Sequence, residues 1–93
     1  MYRPEVRDDL DVAFAWYDQQ RRGLGDEFLT EVREEMDRIR QNPEMYGVLY
    51  RRVRAGPIHR FPYVVYYRVE SDRINVIAVQ HASRSSRGWK SRA

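Results

Sequence analysis

The residues of this chain that could carry chemistry are cations and a histidine, all in its second half. Four of them have the types that RNA scission requires: Arg54, Arg60, His81 and Arg84. A histidine titrates near neutral pH and can transfer a proton, while an arginine can stabilise the charge that develops on a phosphate. These types are compatible with a nuclease, although a single histidine at the end of a strand is more often structural than catalytic.

A wider group of basic residues, together with one tryptophan, could bind an anionic target or partner without cleaving it. Its members are Arg51, Arg52, Arg54, Arg60, Arg84, Arg87, Trp89 and Lys90. Arginine binds phosphates and carboxylates in a bidentate manner, and tryptophan supplies an apolar anchor. We expect this group to bind a nucleic acid, an acidic protein segment or both. A basic, solvated surface with no partner is the alternative.

Other kinds of site have little support in the sequence. The chain has no cysteine, and His59 and His81 alone cannot form a metal cage, so we expect no metal. It has neither a glycine-rich phosphate loop nor a Ser-His-Asp arrangement, so we expect no cofactor. No apolar run approaches the roughly 18 to 20 residues of a membrane span, and the first residues lack the apolar core of a signal peptide. We therefore expect a cytoplasmic protein without membrane contact.

Charge is divided unevenly along the chain. Residues 1–45 hold 12 acidic and 7 basic side chains, a net charge of −5, and residues 46–93 hold 2 and 10, a net charge of +8. The total of +3 therefore hides an acidic first half and a basic second half. This division indicates that one face of the fold meets an anionic partner.

Two amphipathic helices are predicted, over residues 4–22 and 24–41. Apolar residues recur at three and four positions in both: Val6, Leu10, Ala13, Phe14 and Tyr17, then Leu24, Phe28, Leu29, Val32, Met36 and Ile39. The second helix should end before Pro43, because the residue before a proline avoids the α region. The link around Gly23 is short enough for an antiparallel helical hairpin. Trp16 lies off the stripe and is expected to widen the buried face, with contact to a partner as the alternative.

Three strands in a meander are predicted over residues 48–81, in the runs 48–54, 63–69 and 74–81, because β-branched and aromatic residues suit a pleated surface. Residues 55–57, Ala-Gly-Pro, should turn the chain after the first strand. Alternation along the last strand predicts one shared core, made of Phe14, Tyr17, Phe28, Val32, Ile39, Val65, Tyr67, Val76 and Ala78. The basic tail, residues 82–93, should be mobile except around Trp89. All 93 residues form one domain.

An ordered set of short motifs gives the chain a resemblance to a known family. The motifs are Pro4-Glu5 with Asp9-Leu10, Trp16-Tyr17, Gly23-Leu24-Gly25 with Phe28-Leu29, Asn42-Pro43, Val53-Arg54, Arg60-Phe61-Pro62-Tyr63, Tyr66-Tyr67, and Val79-x-His81-x-x-Arg84 with Trp89. In this order they resemble the toxins of the RelE/ParE superfamily, which belong to type II toxin–antitoxin pairs and are often called plasmid stabilisation proteins.

The resemblance implies an α+β fold in which an N-terminal antiparallel helical hairpin packs on a small antiparallel sheet. That sheet would contain the three-stranded meander and a first strand truncated to residues 1–3, which leaves an open edge where a homodimer can form. It also implies a growth-inhibiting toxin that a cognate antitoxin neutralises, with operator DNA bound only through the antitoxin. The antitoxin's carboxylates are expected to meet Arg51, Arg54 and Arg60.

The position of Val64 bears on the toxin's mechanism. In the members that cleave mRNA on the ribosome, the matching strand carries an arginine of the catalytic set, whereas an apolar side chain cannot stabilise a phosphate. The run from Val64 to Val69 is closer to the ParE branch, whose characterised members poison DNA gyrase without being enzymes. We expect a ParE-like toxin. The alternatives are a ribosome-dependent mRNA endonuclease and a degenerate, non-toxic member that only binds its partner.

Overall fold

The structure is a computed structural model that describes residues 3–93, and its fold is of the expected α+β class. Its elements are α1 Pro4–Gln20, α2 Leu24–Gln41, β1 Val48–Tyr50, β2 Val53–Pro57, β3 Tyr63–Glu70, β4 Arg73–His81 and α3 Arg87–Lys90. The truncated first strand was expected at residues 1–3, of which Met1 and Tyr2 lie outside the described part.

The two long helices form the expected hairpin, and the residues at their junction explain its shape. Pro4 stands at the start of α1. The first N–H groups of a helix have no partner within it, so the missing N–H of proline loses no hydrogen bond there. Gly23 has a φ of 91°, a left-handed conformation that favours glycine. Asp18 Oδ1 accepts hydrogen bonds from the N–H groups of Gly23 at 3.0 Å and Gly25 at 3.2 Å. The side chain of Asp18 therefore fixes the tight reversal between the helices.

The sheet has four strands in the order β1-β2-β3-β4, all antiparallel, so the meander contains one strand more than expected. The predicted strand 48–54 breaks at Arg51 and Arg52, whose φ angles of 46° and 66° form a two-residue reversal. Residues 55–57 were predicted to turn the chain, but they continue β2 and pair with β3, with Gly56 opposite Val65. Residues 58–62 make the reversal instead.

A β-bulge in β4 changes which residues face the helices. Tyr66 pairs with Ala78, whereas Tyr67 pairs with Val76, so Ile77 is an extra residue on β4. The alternation shifts at that point. As a result Val76 and Val79 pack in the helix-facing core, while Ala78 packs on the opposite face, contrary to the prediction that it shares the main core.

The helix-facing core otherwise contains the expected residues, except one. Its buried members include Tyr17, Phe28, Val32, Ile39, Val65, Tyr67 and Val76. Phe14 is only partly buried and packs over Gly25, where a Cβ would lie 2.6 Å from its ring. Phe14 therefore closes the helical junction and is not part of the buried core.

The opposite face of the sheet, called the outer face below, is also apolar and is covered by the C-terminal tail. Its buried residues are Val53, Tyr66, Ile77, Ala78 and Trp89. Trp89 lies on the short helix α3 and stacks on Tyr66, with ring centroids 4.6 Å apart. The tail is therefore a structural cover along its last residues.

Glu35 is a fully buried carboxylate between α2 and the sheet. Its Oε1 accepts a hydrogen bond from Arg38 Nε at 2.8 Å. Burial and, after it, the neighbouring Glu35 carboxyl raise the pKa of Tyr46 to about 12. Gly56 of β2 lies directly against this carboxylate, because a Cβ there would clash with Glu35 Oε2 and come within 2.9 Å of the Tyr46 ring.

We predict that Gly56→Ala destabilises the protein by about 1–3 kcal/mol, because the added methyl must displace a buried charged group or an aromatic ring. Gly47→Ala is the matched control, since nothing lies within 4 Å of a Cβ at that position. Urea unfolding followed by tryptophan fluorescence measures both. Equal stabilities of the two variants would contradict this account of Gly56.

Candidate functional site

The tip of the β1–β2 hairpin is formed by two exposed arginines. Tyr50 pairs with Val53, so Arg51 and Arg52 are the only residues of the loop. Both have positive φ, which a two-residue type I′ hairpin loop requires and which Asn-Gly adopts most easily. Arg52 Nη2 donates a hydrogen bond to the carbonyl of Val69 at 3.2 Å, while the Arg51 guanidinium lies 5.2 Å from the centre of the Tyr50 ring.

Helix α3 brings a second cation to the same aromatic ring. Lys90 Nζ lies 5.1 Å from the centre of the Tyr50 ring and 5.7 Å from that of Trp89. Trp89 was expected to offer an apolar anchor to a partner, but its ring is used inside the chain and only 6% of the residue is exposed. The tail therefore presents its cations and conceals its tryptophan.

Arg84 and Arg87 are also exposed on the tail. Within residues 3–93, neither they nor Arg51, Arg52 or Lys90 forms an ion pair with a carboxylate. These five residues, from the hairpin tip and the tail, form what we call the cationic surface. Arg51 and Lys90 lie beside Tyr50 and Trp89, which pack on the outer face, away from the acidic helices.

Arg54 is not part of the cationic surface. Its side chain binds the linker between α2 and β1. Its Nη1 donates hydrogen bonds to the carbonyl oxygens of Tyr46 and, at 3.3 Å, of Glu44. The side chain is thus occupied by backbone groups of the same chain. Its role in the described structure is to fix residues 44–46 against β2.

Arg60 is neutralised by helix α2. Its guanidinium lies 2.6 Å from a Glu27 oxygen and 3.6 Å from a Glu31 oxygen. The hydrogen bond from Arg60 is the main reason why the pKa of Glu27 is lowered, and the same bond raises the pKa of Arg60. Arg60 lies in the 58–62 reversal and has a φ of 70°. Its ion pairs with Glu27 and Glu31 attach this reversal to the second helix.

His81 is tied to the residues that follow it. Its Nδ1 accepts a hydrogen bond from the Ser83 N–H at 3.1 Å and lies 2.8 Å from the Ser83 hydroxyl. Its ring packs edge-on against Tyr63. His81 pairs with Tyr63 and Arg54 with Tyr67, so the two lie on opposite sides of β3 and about 13 Å apart along it. The structure therefore does not bring His81 and Arg54 together.

The outer edge of β4 is protected by an ion pair between α1 and the tail. Arg92 and Asp9 form a bidentate contact at 2.7 and 3.0 Å, and this hydrogen bonding raises the pKa of Arg92. Asp9 also accepts the N–H of Val79 at 3.0 Å, and Arg92 donates to the carbonyl of Ile77 at 3.1 Å. The pair thus binds two β4 backbone groups that point away from β3.

A groove on the helical side was not predicted from the sequence, although partner contact was the alternative for Trp16. It has a volume of about 460 Å³ and is lined by Val12, Trp16, Tyr17, Pro62, Tyr63 and His81. Trp16 was expected to widen the buried face, but it is 56% exposed, and Val12, one turn earlier, is 71% exposed. The signal available in the sequence was the spacing of these two apolar residues on α1, away from the buried stripe.

Within the described residues, no group of three or more histidine, cysteine or acidic side chains is placed to hold a metal ion. No helix among them is both long and apolar enough to cross a membrane.

These features define a small α+β protein that presents an exposed apolar groove and an exposed cationic surface. The chain belongs to the family of ParE toxins of type II toxin–antitoxin systems, whose family model matches residues 1–86. It is therefore the toxin component of such a pair and has a cognate antitoxin as its partner. The ribosome-dependent nuclease alternative is not favoured by this match.

A solved structure supports the fold independently. The chain is similar to the structure titled "Chromosomal ParDE TA system from P. aeruginosa", with a TM-score of 0.75 and 16% sequence identity, over 86% of this chain and 90% of that one. Comparison with curated proteins gives no match.

We predict that Arg92→Ala costs about 3 kcal/mol of stability, because it leaves the Asp9 carboxylate and the Ile77 carbonyl without their partner in a largely buried place. Arg40→Ala removes an exposed pair with Asp37 and should cost less than about 1 kcal/mol. Urea unfolding of the two variants checks the difference, and equal losses would mean that the β4 edge does not depend on the Asp9–Arg92 pair.

Proposed function

We propose that this toxin arrests growth by binding DNA gyrase, in the manner implied by its ParE family, and that it does not cut mRNA on the ribosome. The main support for the proposal is that two of the arginines that a nuclease would need are engaged in contacts within the chain. Arg54 is bound to linker carbonyls and Arg60 to two carboxylates of α2, so neither is available to a phosphate without breaking contacts of the fold.

The strand position of Val64 supports the same conclusion. Val64 pairs with Pro57 on one side and Gln80 on the other, and it packs at the margin of the outer-face cluster. An apolar side chain there supplies no charge to a developing phosphate, and one missing oxyanion-stabilising donor typically costs about 10² to 10³ in rate. Arg84 is exposed near the strand end, but it has no second free cation on β3 beside it.

We predict that the purified protein inhibits gyrase supercoiling and leaves mRNA intact on translating ribosomes. His81→Ala should retain inhibition wherever the variant remains folded, because His81 contacts only Tyr63 and Ser83 among the contacts described above. Supercoiling assays and primer extension on ribosome-bound mRNA measure the two routes in parallel. Cuts positioned at codons that vanish in His81→Ala or Arg84→Ala would overturn the proposal in favour of the nuclease.

We further propose that the antitoxin docks an amphipathic helix in the groove beside Val12 and Trp16. These are the two most apolar exposed positions on α1, and contiguous exposed apolar surface marks an interaction site. A helix that places its apolar face in such a groove is a common mode of recognition. Of the carboxylate contacts expected at Arg51, Arg54 and Arg60, those at Arg54 and Arg60 are not part of this proposal, because linker carbonyls and α2 carboxylates already occupy these two arginines.

We predict that Trp16→Ala weakens antitoxin binding at least about tenfold, because a central aromatic anchor commonly contributes about 2 kcal/mol or more to an interface. Leu49→Ala is the matched control, since Leu49 is a similarly exposed apolar residue on β1. Calorimetry with the cognate antitoxin measures both. A loss in Leu49→Ala with Trp16→Ala unchanged would place the antitoxin on β1 instead.

The homodimer that an open sheet edge was expected to support is proposed at β1. That strand is at the end of the sheet order, and Val48 and Leu49 on it are exposed. β4, the other end of the described sheet, already has outward backbone groups bound by Asp9 and Arg92. An edge strand with free ladder groups can pair with a second copy.

A further inference from the structure

We propose that the cationic surface binds the phosphate backbone of duplex DNA without sequence preference, with Arg51 and Lys90 as its central contacts. This goes beyond the proposed action on gyrase, because it assigns the toxin a direct contact with DNA that is measurable with no other protein present. It also leaves operator sequence to be read by the antitoxin.

The first argument is the conformation of the hairpin tip. A two-residue loop with positive φ at both positions is easiest for Asn-Gly, and side chains with a Cβ and a long stem adopt it at a cost. Here both positions are arginine, with φ angles of 46° and 66°. Backbone conformations of this kind are concentrated at functional sites, where the side chain is needed for more than the turn.

The second argument is the arrangement of charge around Tyr50. The guanidinium of Arg51 and the ammonium of Lys90 are both about 5 Å from the centre of one ring, 5.2 and 5.1 Å respectively. Cation–π contact holds each of them, but within residues 3–93 no carboxylate forms an ion pair with either one. Two cations beside one ring, neither paired with a carboxylate, favour a ligand that carries more than one negative charge.

Helix α3 extends the same surface. Arg87 and Lys90 are three residues apart on this short helix and therefore point to the same side. Arg84 precedes them, and Arg52 is next to Arg51 at the hairpin tip. A polyanion can thus contact cations from both the hairpin and the tail, whereas a single carboxylate would engage one of them.

The aromatic residues of the region distinguish duplex from single-stranded nucleic acid. Proteins that hold single strands stack bases on exposed aromatic rings. Here Trp89 and Tyr66 are stacked on each other and buried, and the ring of Tyr50 contacts the cations of Arg51 and Lys90. What remains accessible is charge, which suits backbone phosphates and carries no information about base sequence.

An acidic protein is the competing partner, because Val48 and Leu49 are exposed on the adjoining strand and could supply an apolar contact. The part of the surface on α3 offers no such contact, since the apolar residues beneath it are buried. Protein interfaces draw most of their energy from apolar or aromatic anchors at the centre, whereas non-specific DNA binding needs only cations. We therefore favour DNA and make the acidic polypeptide an arm of the test.

The test is fluorescence anisotropy of a labelled duplex of about 30 base pairs with the purified full chain, titrated between about 50 and 200 mM salt. We expect binding that does not depend on base sequence and falls linearly in logarithmic salt. The double variant Arg51→Ala/Lys90→Ala should reduce the salt slope by about 2, at about 0.9 per phosphate contact. Arg22→Ala/Arg33→Ala removes the same charge from exposed positions at the helices and should leave the slope unchanged.

A second variant separates binding from folding. Replacing the tip by Arg51→Asn/Arg52→Gly should raise the melting temperature by about 4–8 °C, because the new residues fit a type I′ loop, and should weaken DNA binding in parallel. A lower melting temperature would show that the arginines are structural and would overturn the argument from the turn.

Two other outcomes would overturn the proposal. If the helix-side control loses as much DNA affinity as Arg51→Ala/Lys90→Ala, the binding reflects total charge and no surface is defined. If polyglutamate of equal charge binds more tightly than the duplex at the same salt, the surface belongs to an acidic protein. Because gyrase is absent from these measurements, failure of the gyrase proposal would leave a positive DNA result standing, and the reverse also holds.

Discussion

The β-bulge at Ile77 is the feature on which most of the remaining structure depends. By inserting one residue into β4, it turns both Ile77 and Ala78 toward the outer face and leaves that face apolar. Buried apolar area must be covered, and the tail supplies the cover through Trp89. The bulge also points the Ile77 carbonyl and the Val79 N–H away from β3, where Arg92 and Asp9 bind them. The tail is ordered because the bulge gives it two kinds of contact.

The uneven charge of the sequence becomes a separation in space because the tail folds on the outer face. Residues 1–45, with a net charge of −5, form the helices on one side of the sheet. The free cations of the second half lie at the hairpin tip and on α3 on the other side. Two basic residues of the second half are exceptions to this separation. Arg60 forms an ion pair with Glu27 of α2, and Arg92 forms one with Asp9 of α1. Each exception joins a loop or terminus to a helix, so these two arginines stabilise the fold.

The sequence was sufficient for the helices, their hairpin and the α+β class, because periodic apolar residues and a glycine link have direct structural consequences. It was not sufficient where contacts between distant parts of the chain determine the conformation or exposure of a residue. A two-residue loop made of arginines contradicts local preference, so Val48–Arg54 was interpreted as one strand. A bulge leaves no sign in the alternation, so Ala78 was assigned to the wrong face. Trp16, expected to be buried, is exposed, and Trp89, expected to contact a partner, is buried. The exposure of each ring depends on which other segments of the folded chain cover it.

Membership of the family does not by itself assign roles to individual residues of this chain. At 16% identity the solved ParDE structure supports the fold alone, and side-chain roles must come from the contacts of this chain. Arg54, Arg60 and Arg92 each hold a linker, a reversal or a sheet edge in place. Loss of toxicity on replacing any of them would therefore report first on folding. Within residues 3–93, Arg51 contacts the ring of Tyr50 and Lys90 the rings of Tyr50 and Trp89, and neither forms an ion pair, so their replacement is the more direct measure of what the toxin binds.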